Sequence, residues 1–283
     1  MAASTISVIP SNSSNTNFRA WGKAISDAIA AGGMIQTADT GQVNWSTVNA
    51  PGGTNAAAAY EVWRSNDAAG GLHNFYFKIE YGSGSSINNP QVWLTVGWGS
   101  DGSGGITGNA TTRAGATISA TTTLDCYFAA GDGWIDLAPF GGNAIYTIVI
   151  SIERTRSSGG IQQDEVFVWF GHAATNLVNQ VIPRVGSVPP NGAGAVSTTD
   201  SRGWRFGAAA YAGYGADKGI GTLAPQKGAF LMESANIFCA NTTDFSSIGM
   251  QYTMNVYGAM HTFVALGTVA GCPNNQRILM RYE

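Results

Sequence analysis

The side chains able to do chemistry are few, and they are scattered. Asp132 and Asp136 stand four apart in a glycine-rich passage, and Glu153, Asp164 and Glu165 flank a predicted hairpin. A pair of carboxylates from either group is what a glycosidic hydrolase needs for acid and base work. No motif nearby supplies a nucleophile, a base and a group to orient it, so these acids read as turn residues and a solvated strand end. His73, His172 and His261 lie far apart without a second ligand type at helical or hairpin spacing, so no zinc site is predicted. Asp101 and Asp132 sit in turns that would suit calcium, but the twelve-residue ligand pattern is missing.

Gly97-Trp98-Gly99-Ser100-Asp101-Gly102 has the letters of a dinucleotide fingerprint. No helix opens at its third glycine, so there is no helix amino end to receive a pyrophosphate, and the stretch reads as a hairpin tip. Cys126, Cys239 and Cys272 are odd in number and widely spaced, which predicts reduced, buried thiols and neither a disulfide framework nor a metal knuckle. No cofactor is expected. The richer resource is aromatic: Trp63, Trp93, Trp98, Trp134, Trp169 and Trp204 could stack on sugars or anchor a protein partner, though most belong in a core. Trp93 and Trp98 fall on opposite faces of one predicted strand, which makes them the candidate binding-surface aromatics.

The elements that must position these residues are mostly strands. Phe75, Phe77, Ile79 and Tyr81 alternate with Asn74, Tyr76, Lys78 and Glu80, and Val92, Leu94, Val96 and Trp98 alternate with Gln91, Trp93, Thr95 and Gly97. That period predicts an antiparallel, half-buried pair. Further strands are expected at 34–37, 42–48, 60–64, 117–123, 124–128, 145–153, 165–170, 204–206, 229–232, 250–256, 262–266 and 277–282. Both faces of 145–153 and 165–170 are apolar, which places that hairpin deep in a sandwich. One helix is predicted, capped at Asn15 or Thr16 and ending at Gly32-Gly33, with Phe18, Trp21, Ile25 and Ile29 on one stripe. Phe18, Trp21 and Ile25 are the candidate assembly contacts if that stripe docks on a neighbouring subunit. The expected fold is mainly β, an antiparallel β-sandwich or barrel-like arrangement with one short N-terminal helix. The organisation reads as an N-terminal arm and helix (1–33), a main β domain (34–182), a Pro/Gly-rich linker or long loop (183–202) and a C-terminal β region (203–283) that either stands apart or completes the same domain.

Composition bounds the partners. Only 11% of the 283 residues are charged, against roughly 25% in an average soluble domain. A surface so short of charge suggests coverage by other subunits, since interface cores are depleted in charge. The net charge of −3, with 14 Lys and Arg scattered singly, offers no basic stripe, and nucleic acid is not an expected partner. No run of about 18 apolar residues exists, and the amino end lacks the charged start and apolar core of a secretory signal, so neither a membrane span nor a cleaved leader is expected.

Five segments carry a family resemblance: Phe18-Arg19-Ala20-Trp21-Gly22, the stretch from Gln36 to Trp45, Tyr60-Glu61-Val62-Trp63-Arg64, Lys78-Ile79-Glu80-Tyr81-Gly82-Ser83-Gly84 and Val96-Gly97-Trp98-Gly99-Ser100-Asp101-Gly102. Over roughly residues 15–110 the chain resembles virion structural proteins of tailed bacteriophages, of the tail- or baseplate-associated type. The resemblance implies a non-enzymatic tail, baseplate or tail-tip subunit, located in the virion after assembly in the host cytoplasm. It implies other virion proteins and further copies of the chain as partners. The alternatives are a carbohydrate- or host-receptor-binding module of a fibre, with a host-surface glycan as ligand, and a head decoration or collar protein.

Overall fold

The computed structural model describes residues 2–9, 11–66, 71–117, 123–131, 133–140, 147–156, 162–172, 175–185, 204–206, 221–223, 226–227, 230–231, 236–241, 247–256, 259–267 and 276–283. The chain opens with β1 (Ala2–Val8), α1 (Asn15–Ala31), β2 (Ile35–Gln36), β3 (Ala57–Arg64), β4 (Tyr76–Ser83), β5 (Pro90–Gly97), β6 (Gly99–Ser100), β7 (Ile106–Thr107) and β8 (Ala114–Thr117). It continues through β9 (Leu124–Gly131), β10 (Trp134–Phe140), β11 (Ile148–Arg156), β12 (Gln162–His172) and β13 (Thr175–Pro183). The carboxyl-terminal strands are β14 (Trp204–Phe206), β15 (Gly221–Leu223), β16 (Gln226–Lys227), β17 (Phe230–Leu231), β18 (Ile237–Asn241), β19 (Gln251–Val256), β20 (Ala259–Ala265) and β21 (Gln276–Arg281).

Three open antiparallel sheets dominate. The first runs β2-β3-β4-β5-β8, the central one β1-β9-β10-β11-β12-β13, and the third β14-β15-β18-β21-β20-β19. Among the described residues the sheets do not close into a barrel, so the expected mainly β sandwich with one N-terminal helix is the observed architecture. The central sheet is the middle layer because both of its faces are apolar. One face, including Ile135, Ile150, Val168 and Phe170, packs on Phe77, Ile79 and Leu94 of the first sheet. The other, including Val149, Phe167 and Trp169, packs on Ile237, Val264, Ile278 and Met280 of the third.

The central hairpin of the first sheet follows the sequence period. Phe75, Phe77, Ile79 and Tyr81 are fully buried, and β4 pairs with β5 in a register that sets Ile79 opposite Leu94 and Glu80 opposite Trp93. The helix also forms as the spacing requires. Its cap is Ser14, one residue before the expected position, whose side chain accepts the Asn17 N–H, and Phe18, Trp21, Ile25, Ala28 and Ile29 form its buried stripe. Gly33, at φ 86°, lets the chain leave the helix in a left-handed conformation.

Four readings about strands need correction. Residues 42–48 are not a strand, because the Gln42 side chain takes the place of a backbone ladder: its amide donates to Thr37 O at 2.7 Å and accepts the Val62 N–H at 2.8 Å. The amino-terminal residues read as a polar leader form β1, paired along its length with β9; Ile6 and Val8 supply its inward contacts. The strand β13, not anticipated from sequence, completes the central sheet beside β12. Of the strand expected at 117–123, Thr117 closes β8 (Ala114–Thr117), Thr123 is not in a strand, and 118–122 lie outside the described residues. The Pro/Gly-rich stretch 183–202 lies, from residue 186 onward, outside the described residues.

Candidate functional site

Residues of the resembling segments meet in one place. Glu61, on the inward face of β3, is 1% exposed. Its Oε1 accepts from Ser26 of α1 at 2.7 Å and from the Trp45 indole N–H at 3.1 Å, while Oε2 accepts from Tyr81 of β4 at 2.9 Å. Burial pushes the Glu61 carboxyl up, and these donors pull it only part of the way back. Burial and the neighbouring Glu61 raise the Tyr81 phenol well above its ordinary value. Around this polar knot Trp45 and Trp21 both meet Tyr81 edge-on, at ring separations of 4.9 and 5.9 Å, and Phe18 lies 5.9 Å from Trp45.

A second polar node ties the 36–45 segment to the glycine-rich tip. Asp39 accepts from Thr37 and Ser100 hydroxyls and, at 2.9 Å, from the Gly104 N–H. Burial raises the Asp39 carboxyl, but those hydrogen bonds outweigh it and hold the group below its usual value. Asp101 accepts the N–H groups of Ser103 and Gly105 at 2.8 and 2.9 Å, which keeps its carboxyl low. The fingerprint letters at 97–102 therefore build a closed turn between β6 and β7, with the acids bound to the loop's own donors.

The outer face of the first sheet carries a row of polar and aromatic side chains. Arg113 binds Glu80 at 2.7 Å and lays its guanidinium over the Trp93 ring at 4.2 Å, while Lys78 stands 4.5 Å from the centre of the Tyr60 ring. Gly115, across from Trp93, leaves the indole room to lie flat against β8. Trp93 does face outward, but with Arg113 over it only 5% of its surface is exposed. Beside Tyr60 an open cleft of about 370 Å³ is lined by Val43, Thr47, Val48, Ala57 and Ala58 among others.

At the rim between the first and central sheets, Asp164 grips His73 twice. One carboxylate oxygen accepts the His73 N–H at 2.9 Å and the other meets Nδ1 at 2.7 Å. The Arg154 guanidinium, with a fully buried side chain, lies 3.6 Å from Asp164 and donates to the His73 carbonyl. Arg154 also stands 5.5 Å from the Phe75 ring and 5.6 Å from Trp98. Burial pushes the Asp164 carboxyl up, but the His73 hydrogen bonds and charge, with Arg154, more than reverse it. Trp98, immediately after β5, is half-buried here and packs against the core between these sheets.

The sequence-nominated residues are thus dispersed. Phe18, Trp21 and Ile25 are fully covered by this chain's own sheets, so the stripe expected to offer assembly contacts is spent internally. Asp136 and Glu153, taken from two different candidate groups, are brought onto one face of the central sheet, and both are buried. Glu165 lies within 3.3 Å of Thr155, and Asp132 is outside the described residues. Cys126 is buried, donates to Pro139 O at 3.1 Å, and has its thiol pushed up to about 12 by burial; Cys239 stands in β18 and Cys272 lies outside the described residues. Among the described residues no three His, Cys, Asp or Glu side chains converge as metal ligands, and no helix is long and apolar enough to cross a membrane. Sequence reasoning missed the knot at Glu61. Its signal was a lone acid on the inward side of an apolar strand, with two tryptophans and a tyrosine in the neighbouring segments.

Comparison with protein-family models and with curated proteins finds no match for this chain.

Proposed function

We propose that this chain is a non-enzymatic structural subunit of a tailed-bacteriophage virion, of the tail, baseplate or tail-tip type. The particle is supplied by the resemblance over residues 15–110. The observation that carries the structural role is the convergence of those segments: Trp45, Glu61, Tyr81 and the α1 stripe bind one another, and Asp39 binds the 99–105 tip. The residues of these segments serve to lock a helix, two loops and a sheet into one rigid body, as an assembly subunit requires. The charged fraction of 11% supports burial of much of the exterior against neighbours.

In this reading copies of the chain associate with one another and with other virion proteins. Light scattering of the purified protein across concentration, with a binding assay on particle proteins, tests it. A closed oligomer or capture by particle proteins is expected. A strict monomer that binds none of them overturns the proposal.

A second reading is favoured by one observation, the outward-facing Trp93 under Arg113 beside the Tyr60 cleft. An indole of this kind suits a host-surface glycan once the guanidinium swings away. Glycan-array binding that disappears in Trp93→Ala and persists in Trp98→Ala is the result expected for that role.

A further inference from the structure

Asp136 is fully buried, at 0% exposure, on the face of the central sheet that receives the third sheet. Among the described residues neither of its carboxylate oxygens meets a partner in good hydrogen-bond geometry; the Ser151 hydroxyl, on its register partner in β11, is the nearest group that favours the charged form. An isolated carboxylate in such a place is very costly, whereas the neutral acid is tolerated. The groups around it do not rescue the charge. From the central sheet Glu153, 8% exposed, adds a like charge, and Tyr127 lies on the neighbouring strand β9 with Asp125 beside it. From the third sheet comes Arg281, whose guanidinium is already engaged: it stacks 4.7 Å from the Trp134 ring, donates to Asn236 at 3.3 Å and meets His261 Nδ1 at 3.1 Å. Tyr282 packs against the same interface.

We propose that docking of the third sheet on the central sheet is proton-dependent, with Asp136 as the latch: protonated, it lets the two faces close, and deprotonated, it drives them apart. Release uncovers the apolar side chains Tyr127, Val149, Phe167, Trp169 and Val181. This inference concerns the chain's own layers and holds whether or not the protein belongs to a virion.

The sign follows from linkage. Burial, with Glu153, raises the Asp136 carboxyl well above its ordinary value despite Ser151 and Arg281. The docked state therefore holds the proton more tightly, and its advantage is complete below the ordinary carboxyl value and shrinks as pH rises toward the raised one. His261 opposes this, because burial and Arg281 lower its value and its contribution grows as pH rises through the imidazole range.

Hydrogen exchange of the intact protein between pH 5 and 9, corrected for intrinsic rates, reads the latch. Protection of β18, β20 and β21 is expected to fall by up to about tenfold per pH unit, while β4 and β5 of the first sheet hold steady. Asp136→Asn should abolish the fall and leave only the opposite, histidine-driven trend. Should that variant fail to fold, Glu153→Gln removes the like charge and should make the fall level off at a lower pH. A flat wild-type profile, a fall shared equally by β4 and β5, or a variant profile identical to wild type overturns the proposal.

Discussion

Gly22 lies directly beneath the Trp45 indole, with no room between them for a Cβ. A residue in the middle of α1 and one in a loop after β2 thus occupy a single packed layer, which is how the helix is fixed in position over the first sheet.

Gly22→Ala is expected to destabilise the protein. Alanine favours a helix by about 1 kcal/mol, but displacing an indole from a full core costs about 1–3 kcal/mol. Thermal unfolding should show a lower midpoint for the variant. A midpoint equal to or above wild type would mean that Trp45 moves freely and that the layer is loose.

Glu61→Ala should cost more, because it leaves the Trp45 N–H and the Tyr81 hydroxyl buried without their acceptor, at about 1–3 kcal/mol for each unsatisfied group. Glu61→Gln isolates the charge. Since burial raises the Glu61 carboxyl, the folded state binds its proton more tightly than the unfolded chain. Wild type should therefore lose stability relative to Glu61→Gln as pH rises from the ordinary carboxyl value toward the raised one. Denaturant titrations of the two proteins at several pH values check the direction, and a gap that widens with pH in favour of wild type contradicts it.

Asp164→Asn tests the opposite sign. The Asp164 carboxyl is held below its ordinary value by His73 and Arg154 against the effect of burial. Its contribution is complete above the ordinary carboxyl value and is lost as pH falls through the depressed one. The group is one-third exposed, so the effect at neutral pH is modest, about 1 kcal/mol or less. The stability gap between wild type and variant should close in acid.

Arg113→Ala should uncover Trp93. Iodide or acrylamide quenching of tryptophan emission is expected to rise in the variant, and the increment should vanish in Arg113→Ala with Trp93→Ala. Unchanged quenching would show that the Glu80 contact, and not the guanidinium, is what shields the indole.

The elements most visible in the sequence are those whose period is set by one buried face. Phe75 to Tyr81 alternate because only one side of β4 meets the core, and the α1 stripe repeats every three or four residues for the same reason. The strand β13 escaped notice because the central sheet buries both faces and a bulge beside Gly171 interrupts the register, so Leu177, Val178, Val181 and Ile182 show no clean alternation. The strand β1 did carry a signal, in Ile6 and Val8 alternating with Ser7, but it is an edge strand of small polar residues whose pairing with β9 spans over a hundred positions of sequence.

By itself the sequence determined the fold class, the helix and the central hairpin of the first sheet, since these depend on local period, caps and glycine turns. Only the tertiary structure decided which polar residues became neighbours. Glu61 meets Ser26 and Trp45, Asp39 meets Ser100, His73 meets Asp164, and Asp136 shares a buried face with Glu153. Those meetings are set by sheet register and layer stacking between distant segments, and a carboxylate's chemistry depends on what is buried beside it, which no local pattern records.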